Sequence, residues 1–137
     1  MNLKYKRVIL KLSGEVLAGK KGFGVDDDVV AEVAGTIKKL ADAGVEVGVV
    51  IGAGNFWRGR SNKRMERTTA DYMGMMGTVM NSLAMADALK FLGVKNHILS
   101  SISMTQLAEC YNREKAVGYL NEGAVVIFSA GTGSPFF

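Results

Sequence analysis

The stretch Val45-Glu46-Val47-Gly48-Val49-Val50-Ile51-Gly52-Ala53-Gly54-Asn55 decides the fold. Its first seven residues form a strand-like run rich in β-branched side chains, and Gly52 and Gly54 then stop the run in a small loop. The same grammar occurs on either side. Val8 to Leu10 leads into Lys11-Leu12-Ser13-Gly14, and Ala124 to Ser129 leads into Gly131-Thr132-Gly133-Ser134-Pro135-Phe136-Phe137. Glycine has no Cβ to block the approach of an anion or the positive φ angles of an N–H nest. Three such loops on one short chain predict a nucleotide site.

Helical patterns fill the space between the strands. Arg7 to Leu12 is the first strand, too continuously apolar for a surface edge. After a polar, Gly-rich connection through Gly24, Asp26 to Asp28 offer a cap and first-turn negative charge. Val29, Val30, Val33, Ala34, Ile37, Leu40 and Ala41 then repeat at helical period, and Gly44 ends the helix. Val45 to Ile51 is the second strand. A long helix from about Thr69 to Gly93 carries a stripe of Met73, Met76, Met80, Leu83, Ala84 and Leu89, read as core or subunit-interface filler. Gly74 and Gly77 weaken that helix by about 1 kcal/mol each relative to alanine, which predicts close packing there against a neighbouring helix or a ligand. A third strand, Asn96 to Leu99, precedes two short helices near Thr105 to Glu109 and Arg113 to Asn121, the latter capped by Asn112. Ala124 to Ser129 is the fourth strand. The alternation predicts an α/β fold, an open and mainly parallel sheet layered between helices. Ligands in such sheets sit beyond the carboxyl ends of the strands, so the three loops should share one rim.

Composition narrows the function. With 137 residues, 48% of them hydrophobic and 22% charged, the chain reads as one globular domain. No apolar run approaches the roughly 20 residues of a membrane span, and the start has no signal-peptide core, so no membrane partner and a cytoplasmic location are expected. Cys110 is the single cysteine and His97 the single histidine, which leaves no zinc cluster and little for a Ser-His-Asp arrangement. Cys110 reads as a buried small hydrophobe and His97 as a satisfied structural residue. The net charge of +4 is densest at Arg58, Arg60, Lys63, Arg64 and Arg67. That patch lacks interleaved aromatic residues and any reader motif, so no nucleic-acid partner is expected; it reads as a solvated loop that attracts anionic ligands.

Two familiar phosphate motifs fail on residue chemistry. Gly14-Glu15-Val16-Leu17-Ala18-Gly19-Lys20-Lys21 has the glycine spacing and lysine of a P-loop, but Lys21 offers no hydroxyl to Mg²⁺ and no helix is expected to begin there. Gly52-Ala53-Gly54-Asn55-Phe56-Trp57 lacks the third glycine of a dinucleotide loop and follows the second strand rather than the first. What remains is Lys11 at a strand end, Arg58 after the second loop, and N–H-rich loops. Phosphoryl transfer requires such an arrangement of positioned positive charge and donors.

Five motifs in order, Lys11-Leu12-Ser13-Gly14-Glu15, Gly22-Phe23-Gly24, Val49 through Gly59, Asp71-Tyr72-Met73-Gly74-Met75 and Ser129 through Phe137, closely resemble the bacterial uridylate (UMP) kinases of the amino-acid kinase family. The resemblance implies ATP-dependent phosphorylation of UMP to UDP with Mg²⁺, in pyrimidine nucleotide synthesis. It also implies a cytoplasmic homohexamer that GTP activates and UTP inhibits. On these residues it implies that Lys11, Leu12, Ser13 and Gly14 hold ATP phosphates, with Lys11 as the catalytic charge. Gly54 and Arg58 would meet phosphates where donor and acceptor join. UMP would fall to Ala53, Asp71, Thr132, Gly133, Ser134, Pro135, Phe136 and Phe137, with Asp71 on the ribose hydroxyls. Ala53 and Ser134 stand where the family usually has glycine and asparagine. Gly19, Lys20, Lys21, Gly22, Phe23 and Gly24 match the region of the family's GTP response. Family members continue past the Phe-Phe pair for nearly as much chain again, which carries the adenine pocket. The expectation is thus an N-terminal, UMP-binding portion over residues 1–137, truncated after the fourth strand, with that strand's neighbours missing and an apolar edge or face left open.

Overall fold

The computed structural model of the chain describes residues 5–58 and 64–135. Arg60, Lys63, Phe136 and Phe137 fall outside them. Five parallel strands, β1 (Arg7–Leu12), β2 (Glu46–Ile51), β3 (Asn96–Ser100), β4 (Glu109–Cys110) and β5 (Val125–Ser129), form one sheet in the order β1-β2-β5-β3-β4. Among the described residues four α-helices accompany them: α1 (Gly14–Ala18), α2 (Asp27–Asp42), α3 (Arg67–Phe91) and α4 (Arg113–Asn121). The predicted α/β layered class is the one observed.

Local chemistry sets the helix ends. Asp26 Oδ1 accepts from the N–H groups of Asp28 and Val29 at 3.0 and 3.3 Å, and Asp27 and Asp28 stand at the positive end of α2. Asn112 caps α4 through the Lys115 N–H at 3.1 Å, so that helix has the predicted bounds. On α2 the predicted stripe turns inward: Val30, Ala34 and Ile37 are buried against Val47, Val49 and Ile51 of β2 and Val125 and Ile127 of β5. Met85 and Leu89 of α3 join the same core. The other face of the sheet is covered by α4, where Ala116 and Leu120 pack with Leu99, Val126 and Phe128.

Several expectations are corrected. The sheet has five strands rather than four: Thr105 to Glu109 forms no helix, because only one turn closes there, with Leu107 and Ala108 N–H on the Met104 carbonyl, and Glu109 then pairs with Leu99 as β4. One turn alone does not repay the entropy of nucleating a helix. Cys110 is exposed, since it ends this short outer strand. The first strand, expected inside, is the outermost on its side; Val8, Leu10 and Leu12 face the core while Arg7, Ile9 and Lys11 are exposed. Ile9 is apolar for a local reason, as it fills the space above Gly48, where a Cβ would lie 2.6 Å from Ile9 Cδ1. The final strand, β5, is central and pairs with both β2 and β3, so its neighbours are present and the sheet edges belong to β1 and β4. The connection after β1 is partly helical, as α1 and a 3₁₀ turn over Gly19–Lys21 bury Leu17 and Ala18 completely.

The stripe predicted for α3 enters this chain's core only at Leu89, and most of its members are left to the interface alternative. Met73, Met76, Met80 and Leu83 are exposed, while Met75, Val79, Met85 and Leu89 are buried. Both faces of this helix are apolar, so periodicity alone selects neither.

Candidate functional site

Because β1, β2 and β5 are adjacent and parallel, the loops that follow them lie on one rim. Register makes this concrete: Lys11 is level with Val50, and Val50 with Phe128. Lys11 is the second-to-last residue of β1 and is exposed, and among the described residues no carboxylate pairs with its ammonium group. Ser13 caps α1 by accepting from the Glu15 N–H at 3.3 Å.

Gly14 joins the first loop to the second. A Cβ there would press on the Gly52 carbonyl oxygen and lie 2.5 Å from Asn55 Oδ1 and 2.8 Å from the Gly54 nitrogen. Two of these three neighbours are backbone, which cannot swing aside, so only glycine allows the two loops to touch. In the second loop the N–H groups of Phe56 and Trp57 both donate to the Ala53 carbonyl at 2.9 Å. Ala53 is not in the left-handed region, so it fits where a glycine was expected. Arg58 and Glu15 form an ion pair beside Gly54, whose added Cβ would lie 3.2 Å from Glu15 Cγ and 3.5 Å from Arg58 Nη2. Both partners are 58% exposed, so the pair is worth little as stability and is free to open.

The third loop is held by two hydroxyl side chains. The Ala130 N–H donates to Thr78 Oγ1 at 2.9 Å, and Ser101 Oγ donates to the Gly131 carbonyl at 2.7 Å. Gly133 N–H closes a turn onto the Ala130 carbonyl at 2.9 Å, and a Cβ on Gly133 would lie 2.7 Å from the Ser101 carbonyl oxygen. The Ser134 N–H donates to Thr132 Oγ1 at 3.2 Å. Thr132 and Ser134 are exposed, while Gly133 and Pro135 are half-buried.

α3 approaches the same rim with its first turns. Trp57 Nε1 donates to the Ala70 carbonyl at 2.9 Å, which brings Asp71 to the end of the second loop. Asp71 is half-buried and pairs with Arg67 one turn earlier at 3.8 Å. The packing predicted for Gly74 and Gly77 is found, though the neighbour is the second loop rather than a helix: a Cβ on Gly77 would lie 2.7 Å from Ala53 Cβ, and one on Gly74 3.7 Å from Trp57 Cδ1.

The Gly19 to Gly24 segment leans on the second loop. Gly22 and Gly24 are left-handed, with φ of 73° each, and Lys20, Lys21 and Phe23 are exposed. Phe23 meets Phe56 edge-on at 5.9 Å, and the Gly24 N–H donates to the Asn55 carbonyl at 2.9 Å. The sequence reading missed Thr78, Asn81 and Ser101 as supports; for Thr78 and Asn81 the available signal was a polar side chain interrupting an apolar helix, and for Ser101, just past β3, there was none. It also missed the pairing of Glu15 with Arg58.

A separate cluster lies at the β4 side of the sheet. Glu109 accepts from the Tyr119 hydroxyl at 2.5 Å and from His97 Nδ1 at 3.0 Å, and His97 stacks on Tyr119 with ring centroids 3.6 Å apart. His97 is thus satisfied, as predicted. The Tyr119 hydrogen bond is the main cause that holds the Glu109 carboxyl below its usual range, against the opposing effect of burial; His97 adds to it. The same bond raises the Tyr119 phenol.

A parallel α/β sheet carries three glycine loops, a strand-end lysine and an arginine on one rim, and the amino acid kinase family model matches residues 6–135, so the chain belongs to that family. Within it, the chain is similar to UMP kinases. It superposes on the crystal structure of UMP kinase from Bacillus anthracis with a TM-score of 0.92 at 38% identity, covering 97% of this chain and 56% of that one. For UMP kinase from Ureaplasma parvum the TM-score is 0.91 at 34% identity, covering 98% of this chain and 58% of that one. The chain therefore spans little more than half the length of these two proteins. No helix among the described residues is long and apolar enough to cross a membrane.

Proposed function

We propose that this chain carries the UMP-binding portion, residues 1–137, of an enzyme that transfers the γ-phosphoryl group of ATP to UMP, yielding UDP for pyrimidine nucleotide synthesis. The observation that carries the reading is the convergence of three glycine loops after the adjacent parallel strands β1, β2 and β5, with Lys11 exposed on the same rim. The similarity to two UMP kinases supports the choice of acceptor.

In this proposal Lys11 is the catalytic charge. It lies at the γ-phosphoryl group and stabilises the charge that spreads over its oxygens as the bond to ADP breaks and the bond to UMP forms. The Leu12 to Gly14 backbone receives ATP phosphates. Gly54 and Arg58 meet phosphates at the junction once the exposed Glu15–Arg58 pair opens. Ala53, Asp71 and Thr132 to Phe137 hold UMP, with the Asp71 carboxylate accepting from the ribose hydroxyls. Mg²⁺ would enter with ATP as the substrate complex. GTP activation, with Gly19 to Gly24 as its region, UTP inhibition, a homo-oligomer and a cytoplasmic setting belong to the same proposal. The open methionine face of α3 supports the homo-oligomer, because contiguous exposed apolar surface marks association.

A coupled phosphotransfer assay with UMP, CMP and GMP tests the reading. Turnover with UMP alone is the expected result, and equal rates on all three would remove the UMP assignment. The second reading is a nucleotide-binding or oligomerisation module without turnover. UMP binding by calorimetry with no UDP formed would select it.

A further inference from the structure

The second glycine loop is supported from beneath by two side chains that the proposed chemistry does not use. Asn55 and Asn81 are 1% and 0% exposed. Their amides bond reciprocally, Asn55 Nδ2 to Asn81 Oδ1 at 2.9 Å and Asn81 Nδ2 to Asn55 Oδ1 at 2.8 Å. The second N–H of each amide goes to backbone: Asn55 to the Gly24 carbonyl at 2.8 Å and Asn81 to the Gly52 carbonyl at 2.7 Å. All four amide hydrogens are therefore used, and turning either amide over would set NH₂ against NH₂ and oxygen against oxygen. The Gly24 N–H returns to the Asn55 carbonyl at 2.9 Å, so both backbone polar groups of Gly24 are held by one residue.

Such a pair is an unusual way to fill a core. A fully satisfied buried network holds its members in one geometry, whereas an apolar pair of the same volume would leave the Gly52 and Gly24 carbonyls without these donors. The network also bridges three parts of the chain distant in sequence: the Gly19 to Gly24 segment, the second loop and the middle of α3. Asn55 additionally abuts the first loop, since its Oδ1 bounds the space beside Gly14.

We infer that Asn55 and Asn81 are a positioning pair that locks the Gly24 turn, the second glycine loop and α3 into one mechanical unit, so that a displacement at Gly24 is passed to the loop bearing Gly54 and Arg58. The consequence for ligand binding rests on the functional reading above; the mechanical link does not. Asn81 makes no hydrogen bond to Gly24, so an effect of its substitution there travels through the second loop, by way of Asn55 or the Gly52 carbonyl.

The test is native-state amide exchange on the full chain carrying Asn81→Asp, which keeps the volume but cannot donate to the Gly52 carbonyl. Asn81→Ser serves in the same way if the aspartate variant does not fold. The Gly24 amide is expected to exchange at least about tenfold faster relative to the Val126 and Ile127 amides of β5, the factor that loss of one net hydrogen bond produces. A Gly24 amide that accelerates no more than those of β5 overturns the inference, because a merely structural pair would loosen the whole molecule evenly. Calorimetry with UMP on the same proteins supplies the second readout, with about tenfold weaker binding expected in the variant. If the unsubstituted chain binds no UMP, the functional reading fails and the exchange result alone still decides the positioning pair.

Discussion

Ala130, the one described non-glycine residue with a positive φ, 67°, donates its N–H to Thr78 Oγ1 at 2.9 Å. Thr78 in turn donates to the Met75 carbonyl at 2.6 Å, so a single hydroxyl on α3 holds the turn from which the third loop departs. Left-handed backbone costs a residue with a Cβ about 1 to 2 kcal/mol, and it persists only where surrounding contacts enforce it.

Thr78→Val is expected to destabilise the chain by about 1 to 3 kcal/mol, because it leaves the buried Ala130 N–H without its acceptor. Ala130→Gly should be close to neutral. It relieves about 1 to 2 kcal/mol of strain but loses a buried methyl worth about 0.8 kcal/mol and adds unfolded-state freedom worth about 0.5 to 1 kcal/mol. Ala34→Gly, at a fully buried right-handed position of α2, should cost about 2 kcal/mol by the same arithmetic without the relief. Urea denaturation of the three variants would show the order, and equal losses for the two glycine substitutions would contradict the strain at Ala130.

Gly14→Ala is expected to cost about 1 to 3 kcal/mol or more, as the new methyl meets backbone of the second loop that cannot rotate away. Gly35→Ala is the control. It lies within α2 with open space where the Cβ would go, and should stabilise by about 0.5 to 1 kcal/mol. Thermal unfolding distinguishes them by sign.

Lys11→Ala should leave stability within about 0.5 kcal/mol, since Lys11 is exposed and unpaired among the described residues. In steady-state kinetics it should lower kcat by about 10² to 10³ with a smaller effect on UMP affinity. Asp71→Ala should mainly raise KM for UMP, by about tenfold or more, the size of a hydrogen bond to a charged group. The reverse pattern would exchange the two roles and refute the assignment.

Acid sensitivity should depend in part on Glu109. Its carboxyl is held below the usual range chiefly by the Tyr119 hydroxyl. A depressed folded-state pKa stabilises above the unfolded value, and that contribution is lost as pH falls through the folded value. Tyr119→Phe is therefore expected to move the Glu109 midpoint upward and to shrink its part of the acid limb of stability. Carbon-detected titration of the Glu109 carboxyl would read the midpoint directly, and an unchanged value would show that burial and His97 balance without the hydroxyl.

Local signals were legible where one stretch of chain settles its own structure. Asp26 and Asn112 mark helix starts through side chains that reach N–H groups two or three residues away, and both caps are found. The inward stripe of α2 was equally plain, because its outward face is polar. α3 was not, since Met73 and Met76 are no more polar than Met75 and Val79; only the position of the sheet decides which of them it covers. The edge position of β1 was hidden for a related reason: Ile9 is apolar to cover Gly48 across the sheet, not because both faces of its strand are buried.

The sequence by itself determined the class of fold, the family, and the three loops as one set, because strand–loop grammar and capping depend on residues near in the chain. The tertiary structure alone decided which glycines serve the packing of one loop against another. Gly14 reads as a phosphate-loop glycine, yet the space beside it belongs to Gly52, Gly54 and Asn55. Asn81 reads as an interruption in an apolar helix, yet it fixes the second loop through Gly52 and Asn55. Contacts between residues this far apart in sequence exist only once the sheet has set its strand order, and strand order depends on the total burial of the chain rather than on any one motif.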